Sequence, residues 1–121
     1  MPFDDLRGEL RAFVAERDWS QFHDPKNLAM LLASEAGELL AELRWVRSDQ
    51  ADVTAAEPAA RARIAAEVGD VGIALLLFCE RIGLDLEAAM RDKLAVNRRK
   101  YPVATARGRA DRPQERGRGE G

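Results

Sequence analysis

Hydrophobic residues recur at helical spacing in four segments of the chain, and no segment shows the alternation of a convincing strand. The four segments are about Asp4–Asp18, Pro25–Val46, Pro58–Gly83 and Asp85–Pro102. The pattern therefore predicts an all-α fold in which four helices pack as a bundle, and it places one domain at residues 1–102.

The ends of these segments carry recognisable helix signals. Asp24 is a good N-cap and is followed by Pro25, which fits the first helical position. Gly83 is a typical residue after the last turn of a helix, and Asp85 can cap the next one. Residues 47–57, RSDQADVTAAE, are polar and acidic, and we expect a loop there.

The C-terminal stretch 103–121 is rich in Arg, Gly and Pro and has almost no large apolar residues. Such a composition cannot bury enough apolar surface to fold, so we expect a disordered tail. Its arginines could touch nucleic acid, but three acidic residues dilute the charge, which favours a solubilising tail. We therefore expect no nucleic-acid partner.

The third segment is apolar on all sides between Val71 and Phe78. A helix of this kind is buried all round, and three neighbouring helices of a small monomer rarely enclose it. The pattern predicts a homo-oligomer with this helix near its centre.

Composition limits the class of protein. Hydrophobic residues make up 46% of the chain, charged residues 33%, and the net charge is −2, as in ordinary globular domains. The single cysteine, Cys79, excludes an internal disulfide and suits a reducing compartment. The N-terminus lacks a signal-peptide pattern, and the longest apolar run, 71–79, is far too short to cross a bilayer. We expect a soluble cytoplasmic protein.

Acidic residues occupy the sides of two helices that should be buried. At ~100° per residue, Glu35 falls inside the apolar stripe of the second helix and Glu38 at its edge. Glu67 and Asp70 lie at the edge of the stripe on the third helix. Each pair is spaced i, i+3, so both carboxylates of a pair lie on one side.

Four carboxylates brought together repel one another unless a cation lies among them. Oxygen ligands favour Mg²⁺, with Mn²⁺ as a substitute, and Mg²⁺ often bridges to substrate phosphates. Acid pairs at this spacing also commonly form solvated faces, which leaves open a non-catalytic helical dimerisation module. A di-iron bundle is set aside, because it needs two Glu-x-x-His motifs and the only histidine is His23, outside the acid pairs.

Two further groups of residues can contact a nucleotide. Lys93, Asn97 and Tyr101 follow one another at i, i+4, i+8 along the apolar stripe of the fourth helix and offer donors to phosphate oxygens. Trp19 and His23 lie in the connection between the first two helices, where an aromatic face could stack a base or simply cover the core.

Several stretches together resemble the MazG-like all-α nucleoside triphosphate pyrophosphohydrolases, and within them the dCTP pyrophosphatases. The acid pairs match the metal signature of that superfamily, E-x-x-E on one helix and E-x-x-D on the next. The stretches that carry the resemblance span residues 12–102 and are ERDWSQFHDPKNL, SEAGELLAELRW, EVGDV and KLAVNRRKYP.

The resemblance implies a helical bundle assembled as a dimer or a dimer of dimers. It also implies Mg²⁺-dependent cleavage between the α- and β-phosphates of a nucleoside triphosphate, in the service of nucleotide-pool housecleaning. Carried over by position, the implied metal ligands are Glu35, Glu38, Glu67 and Asp70, with Glu35 or Glu38 as the catalytic base. The implied substrate contacts are Lys93, Asn97 and Tyr101 on the triphosphate or sugar, and Trp19 and Trp45 around the base with His23 nearby.

Two positions depart from the pattern of the dCTP pyrophosphatases that the chain resembles. Leu10 stands where those relatives carry a histidine of the base pocket, and Ala74 where they carry a tyrosine. On the resemblance as a whole, the preferred hypothesis is hydrolysis of dCTP or a related, modified pyrimidine nucleotide. A broad-specificity or dUTPase-like pyrophosphatase is the alternative enzyme.

Overall fold

The computed structural model describes residues 3–110, and these contain helices and turns but no strand. The helices are α1 (Asp4–Glu16), α2 (Pro25–Ala41), α3 (Ala51–Ala56), α4 (Pro58–Ile82), α5 (Leu86–Lys100) and α6 (Val103–Ala106). The predicted all-α class is confirmed, and α1, α2, α4 and α5 are the four predicted helices.

The predicted helix signals act as expected. The Asp24 carboxylate accepts a hydrogen bond from the Asn27 amide at 2.9 Å, with Pro25 in the first turn of α2. Asp85 accepts from the Ala88 amide at 2.9 Å and caps α5. Gly83 ends α4 with φ +65°, a left-handed conformation that glycine adopts without a steric penalty.

Two boundaries differ from the sequence prediction. Helix α2 ends at Ala41 instead of continuing to Val46, and hydrogen-bonded turns follow, such as Arg44 N–H to the Leu40 carbonyl. The stretch expected to be a loop forms a 3₁₀ turn, Ser48–Gln50, and then α3. Alanines in this stretch favour a helix locally, a preference that the polar composition hides.

The chain divides into two compact units, one ending at Leu84 and the other beginning at Asp85. In the first unit, α2 and α4 pack most extensively against each other, and α1 also packs on α4. The buried hydrophobic core of this unit comes from α1, α2 and α4: Val14, Leu28, Ala60, Ala74, Leu76 and Cys79. Arg11 of α1 forms an ion pair with Glu80 of α4, which ties these two helices together.

The second unit contains α5 and α6. Helix α5 ends at Tyr101, whose amide donates to the Asn97 carbonyl at 2.8 Å, and Pro102 precedes α6. The segment predicted as a disordered tail thus begins with the short helix α6, and residues 111–121 lie outside the described part of the chain. No helix among residues 3–110 is long and apolar enough to cross a membrane.

Candidate metal and nucleotide site

Three of the four acids expected to bind metal meet between α2 and α4. Carboxylate oxygens of Glu35, Glu67 and Asp70 all lie within 4.8 Å of one another. Glu67 and Asp70 are spaced i, i+3 on one face of α4, so both of their carboxylates reach Glu35 on α2. Glu38 is not part of this three-residue group, but its charge acts on Glu67.

The electrostatics of Glu67 reflect this crowding. Partial burial raises the pKa of its carboxyl group, and the negative charges of Asp70, Glu38 and Glu35 raise it further. Glu42, one turn beyond Glu38, contributes in the same direction. A cation placed among these oxygens would relieve the repulsion. The donor set, carboxylate oxygen alone, fits a hard divalent cation.

A cavity of 340 Å³ opens beside the three carboxylates, and Glu35 and Asp70 belong to its wall. The rest of the wall comes mainly from apolar side chains of α1, α2 and α4: Leu10, Phe13, Val14, Leu31, Ile73, Ala74 and Leu77. Its size and apolar lining, with a few polar groups at one end, are those of a small-molecule site.

The connection between α1 and α2 brings Trp19 and His23 to this cavity. Asp18 adopts φ +53°, a left-handed conformation that aspartate tolerates better than most residues, and this turns the chain at the end of α1. Gln21 Nε2 donates to the Asp18 carbonyl oxygen at 2.9 Å and to Oδ2 at 3.1 Å. The Trp19 amide donates to the Val14 carbonyl at 3.1 Å, so the loop is held by its own hydrogen bonds.

Within the cavity wall, Trp19 meets Phe13 edge to face, with ring centroids 5.6 Å apart and planes at 75°. The Arg17 guanidinium lies 3.7 Å above the centre of the Phe13 ring, a cation–π contact. Both contacts hold aromatic surface at the edge of the cavity. The arrangement suits a flat, partly apolar ligand next to the carboxylates.

The structure does not bring every expected residue to this place. Trp45 lies in the turns after α2, is 88% exposed and does not line the cavity. The sequence predicted that α2 continues through Trp45 to Val46, whereas α2 ends at Ala41. Lys93, Asn97 and Tyr101 share one face of α5 and its C-terminal end, in the second unit. The roles of these four residues stay predictions.

Sequence reasoning missed most of the cavity wall. Phe13, Leu31, Ile73 and Leu77 follow the helical stripes and were indistinguishable from ordinary core residues. Only their spacing could have marked them: Leu31 precedes Glu35 by one turn, and Leu77 follows Asp70 by two. Leu10 and Ala74, singled out in the sequence, both line the cavity.

Together, the fold and the site define a class: an all-α protein with a carboxylate cluster between two antiparallel helices and an apolar cavity beside it. No protein-family model matches the chain. A pyrophosphatase from Archaeoglobus fulgidus has a similar structure, with a TM-score of 0.79 and 33% identity over 84% of this chain and 94% of that one.

Curated relatives agree with this likeness. The dCTP pyrophosphatase 1 of Bos taurus is 39% identical over 107 residues, 88% of this chain, and that of Homo sapiens is 38% identical over 104 residues, 86% of this chain. The chain spans 63% and 61% of the length of these two proteins. The chain belongs to the MazG-like all-α nucleoside triphosphate pyrophosphohydrolases.

Proposed function

We propose that this protein is a Mg²⁺-dependent nucleoside triphosphate pyrophosphohydrolase that acts on dCTP or a related pyrimidine nucleotide. The observation that carries the proposal is the shared wall: Glu35 and Asp70 belong both to the carboxylate cluster and to the apolar cavity. A nucleotide with its base in the cavity would therefore have its phosphates beside the carboxylates. The dCTP pyrophosphatase relatives support the choice of substrate class.

Mg²⁺ is the proposed metal because all the candidate ligands are carboxylates and the ligand oxygens are close together. Glu35, Glu67 and Asp70 would hold it, with Glu38 as the further expected ligand. A bound divalent cation supplies Lewis-acid stabilisation of phosphate charge and lowers the pKa of water. Mn²⁺ has the same ligand preference and is the expected substitute.

The proposed reaction consumes one water molecule. The water oxygen bonds to phosphorus, the bridging P–O bond between the α- and β-phosphates breaks, and the products are a monophosphate and pyrophosphate. Glu35 or Glu38 would accept the proton that the water releases. Glu35 is better placed for this, since it alone of the two also lines the cavity that would hold the nucleoside.

Base recognition would rest on the cavity. Trp19 supplies an aromatic face and His23 a group that can donate or accept a hydrogen bond. Leu10 and Ala74 themselves add no hydrogen-bonding side chain to the wall. That observation favours the alternative of a broader or dUTPase-like specificity, because fewer hydrogen bonds discriminate between bases.

A homodimer or homotetramer completes the proposal. Large apolar side chains of the first unit are exposed, among them Leu40, Val53 and Val68. A second copy of the chain would cover such a surface. We propose that Trp45, in the turns after α2, contacts the base. The proposed contacts to the triphosphate or sugar are Lys93, Asn97 and Tyr101.

The test is a substrate panel with product identification. Purified protein with Mg²⁺ is incubated with each common ribo- and deoxyribonucleoside triphosphate, and nucleotide products and pyrophosphate are separated and quantified. We expect monophosphate and pyrophosphate in equal amounts, fastest from dCTP. Similar rates from all bases would favour the broad enzyme, and no hydrolysis of any nucleotide would favour the non-catalytic helical module.

A further inference from the structure

Corresponding positions along α2 and α4 form a continuous row of facing residues. Leu31, Glu35, Glu38 and Glu42 follow one another at i, i+4, i+7 and i+11 on α2 and its C-cap. Arg63, Glu67, Asp70, Ala74 and Leu77 repeat that spacing on α4. Residues so spaced share one face of a helix. Each set therefore forms one row along its helix, and the contacts between Glu35 and α4 and between Glu42 and Arg63 show that the two rows face each other.

Contacts between the rows fix their order. Leu31 of α2 and Ala74 and Leu77 of α4 line the same cavity. Glu35 meets Asp70 and Glu67 in the carboxylate cluster. Beyond them, Glu42 accepts a hydrogen bond from Arg63 Nε at 3.1 Å. The cavity, the carboxylates and this ion pair therefore lie in sequence along one side of the helix pair.

This order gives the site a direction. With the base in the cavity and the α-phosphate at the carboxylates, the β- and γ-phosphates extend toward Glu42 and Arg63. Arg63 lies one turn from Glu67, about 6 Å along the helix axis, which an arginine side chain can span. Arg63 belongs to the α4 row and is its only cation, so the row places a positive charge at the Glu42 end of the carboxylate cluster.

The ion pair leaves Arg63 able to bind an anion. Only Nε is engaged by Glu42, and the structure gives the terminal nitrogens of Arg63 no hydrogen-bond partner among residues 3–110. The Arg63 side chain is 58% exposed and that of Glu42 is 25% exposed. An exposed pair of this kind contributes little to stability, so Arg63 can exchange a carboxylate for a phosphate readily. Guanidinium groups bind phosphate oxygens with two parallel hydrogen bonds.

We propose that Arg63 binds the β,γ-pyrophosphate portion of the substrate, and that Glu42 holds Arg63 beside the carboxylate cluster until the substrate arrives. This inference rests on the proposed function and adds the residue that recognises the leaving group. Glu42, which has no place in the metal signature, acquires a role as the carboxylate that occupies Arg63 in the absence of substrate.

The test compares the binding of the two products by isothermal titration calorimetry in Mg²⁺. Arg63→Gln should weaken binding of magnesium pyrophosphate about tenfold or more, the loss of a charge-assisted hydrogen bond. Binding of dCMP should stay within about twofold, because a monophosphate has no β- or γ-phosphate. Arg63→Lys should recover part of the pyrophosphate affinity, because lysine keeps the positive charge but cannot donate two parallel hydrogen bonds as a guanidinium does.

Two further variants separate recognition from structure. Glu42→Gln frees the guanidinium, so pyrophosphate should bind as tightly as to wild type or more tightly. Arg61→Gln, an exposed arginine two residues away on another face of α4, is the matched control and should change neither affinity. Circular dichroism melts show whether each variant is folded.

Three results would overturn the inference: pyrophosphate affinity unchanged in Arg63→Gln, an equal loss of dCMP and pyrophosphate affinity, or a loss in Glu42→Gln as large as in Arg63→Gln. Each would leave the proposed function intact, provided wild type releases pyrophosphate from a nucleoside triphosphate. Wild-type protein that hydrolyses no nucleotide would instead refute the proposed function.

Discussion

Glu67 is partly buried among other carboxylates of the cluster. Its pKa is raised above the ordinary value of 4.5 by partial burial and by four neighbouring carboxylates. The sign follows directly: a folded-state pKa above the unfolded value means that ionised Glu67 opposes folding. This penalty is present near neutral pH and disappears as the pH falls below the ordinary carboxyl range. A bound cation would cancel it.

Glu67→Gln should therefore raise the melting temperature of the metal-free protein at pH 7 and abolish the further rise that Mg²⁺ gives to wild type. Removing a repelling charge accounts for the first effect, and losing a ligand accounts for the second. Differential scanning calorimetry with EDTA or Mg²⁺ measures both. Asp5→Asn, at an exposed position near the start of α1 and outside the site, is the control. Mg²⁺ stabilising the Glu67→Gln variant as much as wild type would contradict the cluster as a metal site.

Trp19 is the second residue whose role can be measured. Stacking of a base on an aromatic side chain contributes about 1–3 kcal/mol, so Trp19→Ala should raise KM about 5- to 150-fold, whereas Trp19→Phe should retain most of the affinity. In a Trp45→Phe background, nucleotide binding should quench the remaining tryptophan fluorescence. Equal kinetics for the alanine and phenylalanine variants would show that Trp19 only covers the core.

At the scale of the element, helix ends that carry a capping residue or a terminal glycine were predictable, and an end without such a residue was not. Asp24, Gly83 and Asp85 act locally through hydrogen bonds or backbone geometry, so the sequence around them suffices. The end of α2 at Ala41 had no such signal, because apolar residues continue to Val46. The acid pairs were predictable from helical phase, whereas the wall of the cavity depends on how α1, α2 and α4 pack, which no local pattern contains.

The N-cap of α2 holds the loop that presents Trp19 and His23. The Asp24 carboxylate accepts from the Asn27 amide and from Asn27 Nδ2, both at 2.9 Å. Asp24→Ala should lower the free energy of unfolding by about 1 kcal/mol, and Asp24→Asn should lower it less, because asparagine is also a good cap. Urea denaturation measures both differences. Indistinguishable midpoints for alanine and wild type would show that the cap carries no stability.

At the scale of the whole molecule, exposed apolar surface is the feature that a single chain leaves unexplained. Leu40, Trp45 and Val53 are each more than half exposed, as is Val68 on α4. The same inference arose from the sequence, where residues 71–78 are apolar on all sides. In the single chain Ile73 is still 40% exposed, so the helix is not fully enclosed.

We therefore expect a homodimer or homotetramer at micromolar concentration, measurable by sedimentation velocity. Val68→Glu introduces a charge into the exposed apolar surface of α4 and should shift the distribution toward monomer, because burying that charge opposes association. Asp52→Asn, on exposed α3, is the control. A wild-type protein that sediments as a stable monomer would refute the assembly.

The central claim is that the carboxylate cluster and the adjacent cavity form one hydrolytic site. The most direct measurement is Mg²⁺-dependent pyrophosphate release from dCTP by wild type, Glu35→Gln and the control Asp5→Asn. We predict release by wild type and the control, and a fall of at least about a hundredfold in kcat/KM for Glu35→Gln, which removes a proposed metal ligand and proton acceptor together. Equal rates for wild type and Glu35→Gln would contradict the claim.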